Sequence, residues 1–185
     1  MFVILSAAIA AVSLLGSPAF AQGAAKPTDP QIAHIAYTAG QIDVAAGKQA
    51  LAKSKNRAVR AFAQEMVRDH AAVNERALSL VKKLGVTPEA NATSTSLEAG
   101  AKVQMRALGA LHSAAFDRAY VRNEIAYHRT VNGALDSLLI PNAHNTELKS
   151  LLKTGLTLFQ EHQKHAEHLA KTVRYCQPSL RDGSR

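Results

Sequence analysis

Asn56-Arg-Ala-Val59-Arg-Ala-Phe62-Ala-Gln-Glu-Met66-Val-Arg-Asp69-His70-Ala-Ala-Val73 reads as the first half of a long amphipathic helix. Val59, Phe62, Ala63, Met66, Val67 and Val73, continued by Ala77, Val81 and Leu84, recur every three or four residues and line one face of a 3.6-residue turn. Asn56 is a ready N-cap, and Gly85 a ready stop just beyond the last apolar residue. His70 stands in the middle of the stripe. A helix that buries this face buries an imidazole with it.

The same pattern repeats on either side. Thr28 or Asp29 can cap a preceding helix, with Pro30 in its first turn, where a missing N–H costs nothing. Its stripe is Ile32, Ile35, Ala36, Ala39, Ile42, Ala46 and Ala50, and it should end near Ser54. Beyond Gly85 comes a polar loop over 86–96, then a short helix from Leu97 to about Leu108. A third long helix starts near Ser113 and carries Phe116, Tyr120, Tyr127, Val131, Ala134, Leu135 and Leu138 inward. Pro141 and Asn142 should end it and begin the last helix, whose stripe runs from Leu148 through Leu152, Phe159 and Ala166 to Val173. Two tight hairpins joined by a longer connection predict an all-α, antiparallel four-helix bundle over 29–175, with a short extra helix before the third. The core must be aliphatic, because aromatics are only 5% of the chain and Trp is absent.

The first 21 residues carry no charge. Phe2 to Leu15 is apolar, Gly16 and Pro18 follow, and Ala19-Phe20-Ala21 fits a signal-peptidase site before Gln22. No Lys or Arg precedes the apolar run, which is also short for a membrane span. The expectation is a signal peptide at 1–21, a linker at 22–28, the bundle at 29–175 and a tail at 176–185. The destination is the periplasm or the exterior. The formal net charge of +8 then belongs to the mature part. It suits anionic lipid or polymer surfaces, whereas nucleic acid is not an expected partner outside the cytosol. Cys176 is the only cysteine, so no internal disulfide forms.

Placed at 100° per residue, several polar side chains fall inside the apolar stripes. Asp43 lies between Ala39 and Ala46. Glu124 and His128 are four apart on the core side of the third helix, with Asp117 before them. His162 sits beside Phe159 and Ala166, whereas Glu161, His165 and His168 face outward. Counted from an end at which both tight turns are taken to lie, Asp43, His70, His128, Glu124 and His162 spread over roughly 10 Å at ~1.5 Å per residue. Three or four can then meet, and all five only with a helix offset. Buried carboxylates must be paired, hydrogen-bonded or metal-bound. Two readings stand side by side: a Zn, Cu, Fe or Mn ion held by His70, His128 and His162 with Asp43 and Glu124, or a metal-free Asp–His network that sets helix register.

The segments Gly40-Gln-Ile-Asp43-Val-Ala-Ala-Gly47-Lys-Gln-Ala-Leu51 and Val59 to His70 resemble the domain-of-unknown-function 4142 family. So do Phe116-Asp117-x-x-Tyr120 with His128, and Leu158-Phe-x-x-His162 with Ala166. The resemblance spans Asp29 to Val173 and is most specific at Met66-Val-Arg-Asp69-His70. It implies an exported bacterial protein with a ferritin-like fold, and recurring polar sites at Asp43, Asp69, His70, Asp117, His128 and His162. Asp43 departs from the Glu usual there. The paired Glu-x-x-His motif of di-iron bundles is missing, since Glu65, Glu124 and Glu161 are followed three residues later by Arg68, Tyr127 and Lys164. Turnover is therefore not expected. The function expected is metal binding and envelope stress tolerance; the alternative is an interaction module whose basic surface docks to anionic envelope components.

Overall fold

Asn56 opens its helix as its side chain dictates. Its Oδ1 accepts from the backbone N–H of Ala58 at 2.9 Å and of Val59 at 3.3 Å, and α2 runs over Arg57–Leu84 to Gly85, whose φ of 62° is the left-handed stop. The computed structural model describes residues 26–175, so the leader expected at 1–21, most of the 22–28 linker, and the tail with Cys176 lie outside it. The described residues form five helices and no strand: α1 Asp29–Lys53, α2, α3 Ala92–Gly109, α4 Ser113–Ala134 and α5 Thr146–Tyr175. None is long and apolar enough to cross a membrane.

Three boundaries differ from the sequence reading. The third helix begins at Ala92, because Asn91 caps it by accepting from Ser94 N at 3.0 Å, and it reaches 18 residues. The fourth does not stop at Pro141. It continues through a π-helical turn at Leu135–Leu139 and a final turn at Ile140–Asn142. A proline ring clashes with the carbonyl four residues back, and the wide turn immediately upstream relieves that crowding. It also adds a residue to the repeat, so Leu139 is the buried side chain and Leu138 only partly so. α5 starts instead at Thr146, capped by Asn145 Oδ1.

The two tight turns lie at opposite ends, not at one shared end. Asp29, at the start of α1, accepts from the backbone N–H groups of His144 and Asn145 at 2.8 Å each, and Lys83 near the end of α2 pairs with Glu147. The start of α1, the end of α2 and the α4–α5 turn therefore share one end. α3 carries the chain back to the other end along α1. There Gln49 donates to Met105 O at 2.9 Å and Lys53 to Gly109 O at 2.6 Å. Consequently α2 and α4 run in the same direction. α1 packs on α2 and α4 on α5, with α2 against α5 and α1 against α4 closing the core. At Gly47 a Cβ would come within 2.8 Å of Val67 Cγ2 and 3.1 Å of the Ala63 carbonyl, so α1 and α2 approach closely there.

The core has two apolar halves. One, near the α1–α2 turn, gathers Ala46, Ala50, Val59, Phe62, Ala63, Met66, Phe116, Tyr120, Leu169 and Val173. The other, near the α4–α5 turn, gathers Ile32, Ile35, Ala39, Leu97, Val131, Leu135, Leu139, Leu148 and Leu152. Between them lies a polar layer.

Candidate metal centre

Asp43 lies 14 residues into α1 from Asp29, His70 14 before Leu84, His128 14 before Asn142, and His162 16 after Thr146. Measured from the end these four termini share, the side chains are level to within about 3 Å at 1.5 Å per residue. The narrowing among these four comes from counting α1 from its other end and starting α5 later; with Glu124, 18 before Asn142, the five span about 6 Å against the roughly 10 Å expected from sequence. Glu124 sits one turn before His128 on the same face. All five are at most 2% exposed.

The five join into two overlapping groups. One ligand atom each from His70, His128 and His162 lie within 4.8 Å of one another, and so do those of Asp43, Glu124 and His128. Asp43 Oδ2 is 3.3 Å from His70 Nε2 and 3.5 Å from His128 Nε2. The three imidazole centroids are 5.3 to 5.5 Å apart. Phe159 stacks on His70 at 4.4 Å and 9°, fixing the ring plane.

Hydrogen bonds assign the ring nitrogens. His128 Nδ1 is 3.0 Å from the Glu124 carbonyl, which can only accept, so Nδ1 carries the proton and Nε2 presents a lone pair. His162 Nε2 donates to Asp69 Oδ2 at 3.1 Å, which leaves Nδ1 as its lone-pair nitrogen. Arg68 in turn grips Asp69 with two bonds of 2.6 and 3.0 Å. A backbone carbonyl or a carboxylate behind the imidazole is the arrangement that orients histidine ligands to metals.

Inside the layer, hydrogen-bond partners run out. Both oxygens of Asp43 and of Glu124, both nitrogens of His70, Nε2 of His128 and Nδ1 of His162 are buried without a partner. Burial, then the Asp43 charge, pushes the Glu124 carboxyl well above its usual value; burial also raises Asp43, against the opposing pull of His128. The pair therefore holds a proton to higher pH than two free carboxyls would, with Glu124 the more strongly raised. Burial lowers all three histidines, most strongly His70, so they stay neutral. Neutral imidazoles and carboxyls gathered around unsatisfied lone pairs can hold a metal ion.

Other polar residues sort differently. Asp69, marked by the family resemblance, lies behind His162. Asp117 is buried but belongs to none of the clusters. Tyr127, taken as a core residue, also donates its hydroxyl to the Ala39 carbonyl at 2.8 Å. Glu65 was missed altogether. It meets His165 at 2.9 Å and groups with Asp69 and His162, and only its place one turn before Asp69 on α2 signalled that. A cavity of about 50 Å³ adjoins the layer on the side of the α4–α5 turn. Asp43, His70 and His128 border it at one end, and Ala36, Val73, Val131 and Leu152 line its walls.

No curated protein and no solved structure matches the chain significantly. A family model does match, over residues 15–169, and its description is Domain of unknown function (DUF4142). The chain belongs to the DUF4142 family.

Proposed function

We propose that this protein is an exported, ferritin-like four-helix bundle that holds one divalent metal ion without turnover. His70, His128 and His162 are its ligands, and Asp43 and Glu124 complete or neutralise the site. α3 serves as the single long crossover that such bundles use. The observation that carries the reading is the convergence of buried nitrogens and oxygens from these five side chains that lack hydrogen-bond partners in good geometry. A register-setting network would pair its members, because an unsatisfied buried polar group costs about 1–3 kcal/mol. The ligand set suits Zn, Cu, Fe or Mn. Export rests on the apolar leader and Ala19-Phe20-Ala21. Tolerance of envelope stress is the physiological setting we assign.

Elemental analysis of the purified protein, followed by chelation and re-addition of each metal, tests the reading. A metal at a hundredfold over its Kd stabilises the fold by about 2.7 kcal/mol, a melting shift of several degrees. No shift with any of the four metals, and no co-purifying metal, overturns it.

A further inference from the structure

The proposed site is sealed, and a metal ion must still reach it. The cavity on the side of the α4–α5 turn is walled mainly by apolar side chains. Short of the layer itself, only Asn74 and Tyr127 among its lining residues are polar and neither carries a charge, a poor replacement for a cation's water. On the opposite side the picture changes. His162, itself fully buried, is the one histidine of the layer that touches a partly exposed carboxylate, through Nε2 and Asp69 Oδ2. Glu65, one turn earlier on α2, brings a carboxylate oxygen within 4.8 Å of both Asp69 and His162. His165, one turn after His162 on α5, reaches Glu65 Oε2 with Nδ1 at 2.9 Å. The side chains of Asp69, Glu65 and His165 are 17, 30 and 42% exposed, a graded path from solvent to the buried imidazole. The His165 ring stands edge-on to Phe62 at 5.1 Å, so it is held in place.

We propose that Glu65, Asp69 and His165 form a second, half-exposed cation site that loads the buried one through His162. This rests on the metal-binding reading above.

The chemistry of a single imidazole makes it a hand-off. A neutral ring has one lone-pair nitrogen. With Nε2 on a cation at the outer site, the neutral ring's one proton would have to sit on Nδ1, and the ring would be lost to the inner layer. When Nδ1 turns its lone pair inward, Nε2 must carry the proton and donate to Asp69, the arrangement seen here. His162 can therefore serve the two sites only alternately, and Asp69 is the acceptor that steadies the Nε2–H group in the inward-facing state. Arg68 occupies Asp69 in the structure, but its side chain is 71% exposed and free to swing into solvent when a cation arrives. Arg68 is thus a competitor at the outer site and a support for the loaded state.

The test is stopped-flow uptake of Co(II) by the chelated, full-length mature protein, read by its visible absorption, alongside equilibrium titration. Glu65→Gln and His165→Gln remove donors with little change of shape, and His168→Gln on the exposed face of α5 is the control. Losing the Glu65 charge slows loading by about tenfold, the low end of what charged clefts contribute to on-rates. The equilibrium affinity and the stoichiometry of the buried site stay near wild type. Arg68→Ala speeds loading, and His168→Gln loads normally. Wild-type rates in both Glu65→Gln and His165→Gln overturn the proposal, as does a loss of equilibrium affinity that matches the loss of rate, which would make Glu65 a ligand of the buried site. If the wild-type protein takes up neither Co(II) nor any of the four metals named above, the parent reading of a metal site fails, and this one with it.

Discussion

The two halves of the core are built from the same helices and packed to different purposes. Near the α1–α2 turn, Phe62, Phe116 and Tyr120 fill the interior with rings, Phe116 and Tyr120 stacked at 6.1 Å and Phe62 edge-on to Tyr120 at 6.2 Å. The α1–α2 approach at Gly47 leaves no room for a methyl group. Near the α4–α5 turn the side chains are aliphatic apart from Phe159 and Tyr127 beside the polar layer, α4 is widened by its π-helical turn, and a cavity of about 50 Å³ lies against Asp43, His70 and His128. The dense half anchors the polar layer, and the open half gives its side chains room to move. π-helical turns recur near functional sites.

Truncating a ring in the dense half should have the largest effect. Phe62 is wholly buried, and Phe62→Ala removes the ring that packs on both Tyr120 and His165. The expected loss is about 3–5 kcal/mol in a denaturant titration, because close-packed surroundings collapse poorly into a void. A cost below about 1 kcal/mol would mean that this half is as forgiving as the other.

Overfilling the same half should come next. Ala63 is wholly buried in the dense cluster with its carbonyl against α1 at the close approach, and Ala63→Leu must fit three more carbons there. The expected cost is about 1–3 kcal/mol, measured the same way.

Much of this was legible in the residues. The stripe from Val59 to Leu84, the Asn56 cap and the Gly85 stop placed α2 to the residue, and the inward positions of Asp43, His70, Glu124, His128 and His162 followed from helical period alone. What the pattern did not carry was direction. Periodicity reports which face is buried and is silent about which end of a neighbour lies alongside, so nothing in it showed α3 returning the chain along α1. Pro141 misled for a local reason, since a proline is tolerated inside a helix once the preceding turn widens. Glu65 escaped because it lies at the edge of its stripe, where an exposed acid is the ordinary finding.

The layer between the halves should respond to pH through its carboxyls. Glu124 keeps its proton to higher pH than a free carboxyl because burial and the Asp43 charge raise it, whereas burial favours the neutral form of the histidines. A cation ligated by this set displaces the Glu124 proton. Affinity should therefore rise with pH by about one log unit per unit, or about 1.4 kcal/mol, and level off above the raised Glu124 value. Calorimetric titration at pH 6 and 7 in buffers of different ionisation enthalpy measures the released proton directly. Binding with no proton release would place the ligands away from Glu124 and Asp43.

The smallest effect should come from filling the open half. Ala36 is only partly buried and lines the cavity, so Ala36→Leu points added carbons into empty space rather than into neighbouring atoms. Leu keeps good helix propensity, and the apolar area it buries offsets its lost rotamer freedom. The stability change should stay within about 1 kcal/mol of zero, in either direction, as for substitutions that a core has room to absorb. Read against Ala63→Leu in the same titration, this is the sharpest form of the comparison. The substitution is identical, the helices pack on each other, and only the space ahead of the side chain differs. A cost equal to that of Ala63→Leu would mean that the open half is held as tightly as the dense one. The room beside Asp43, His70 and His128 would then be no freer than the packed interior around Phe62.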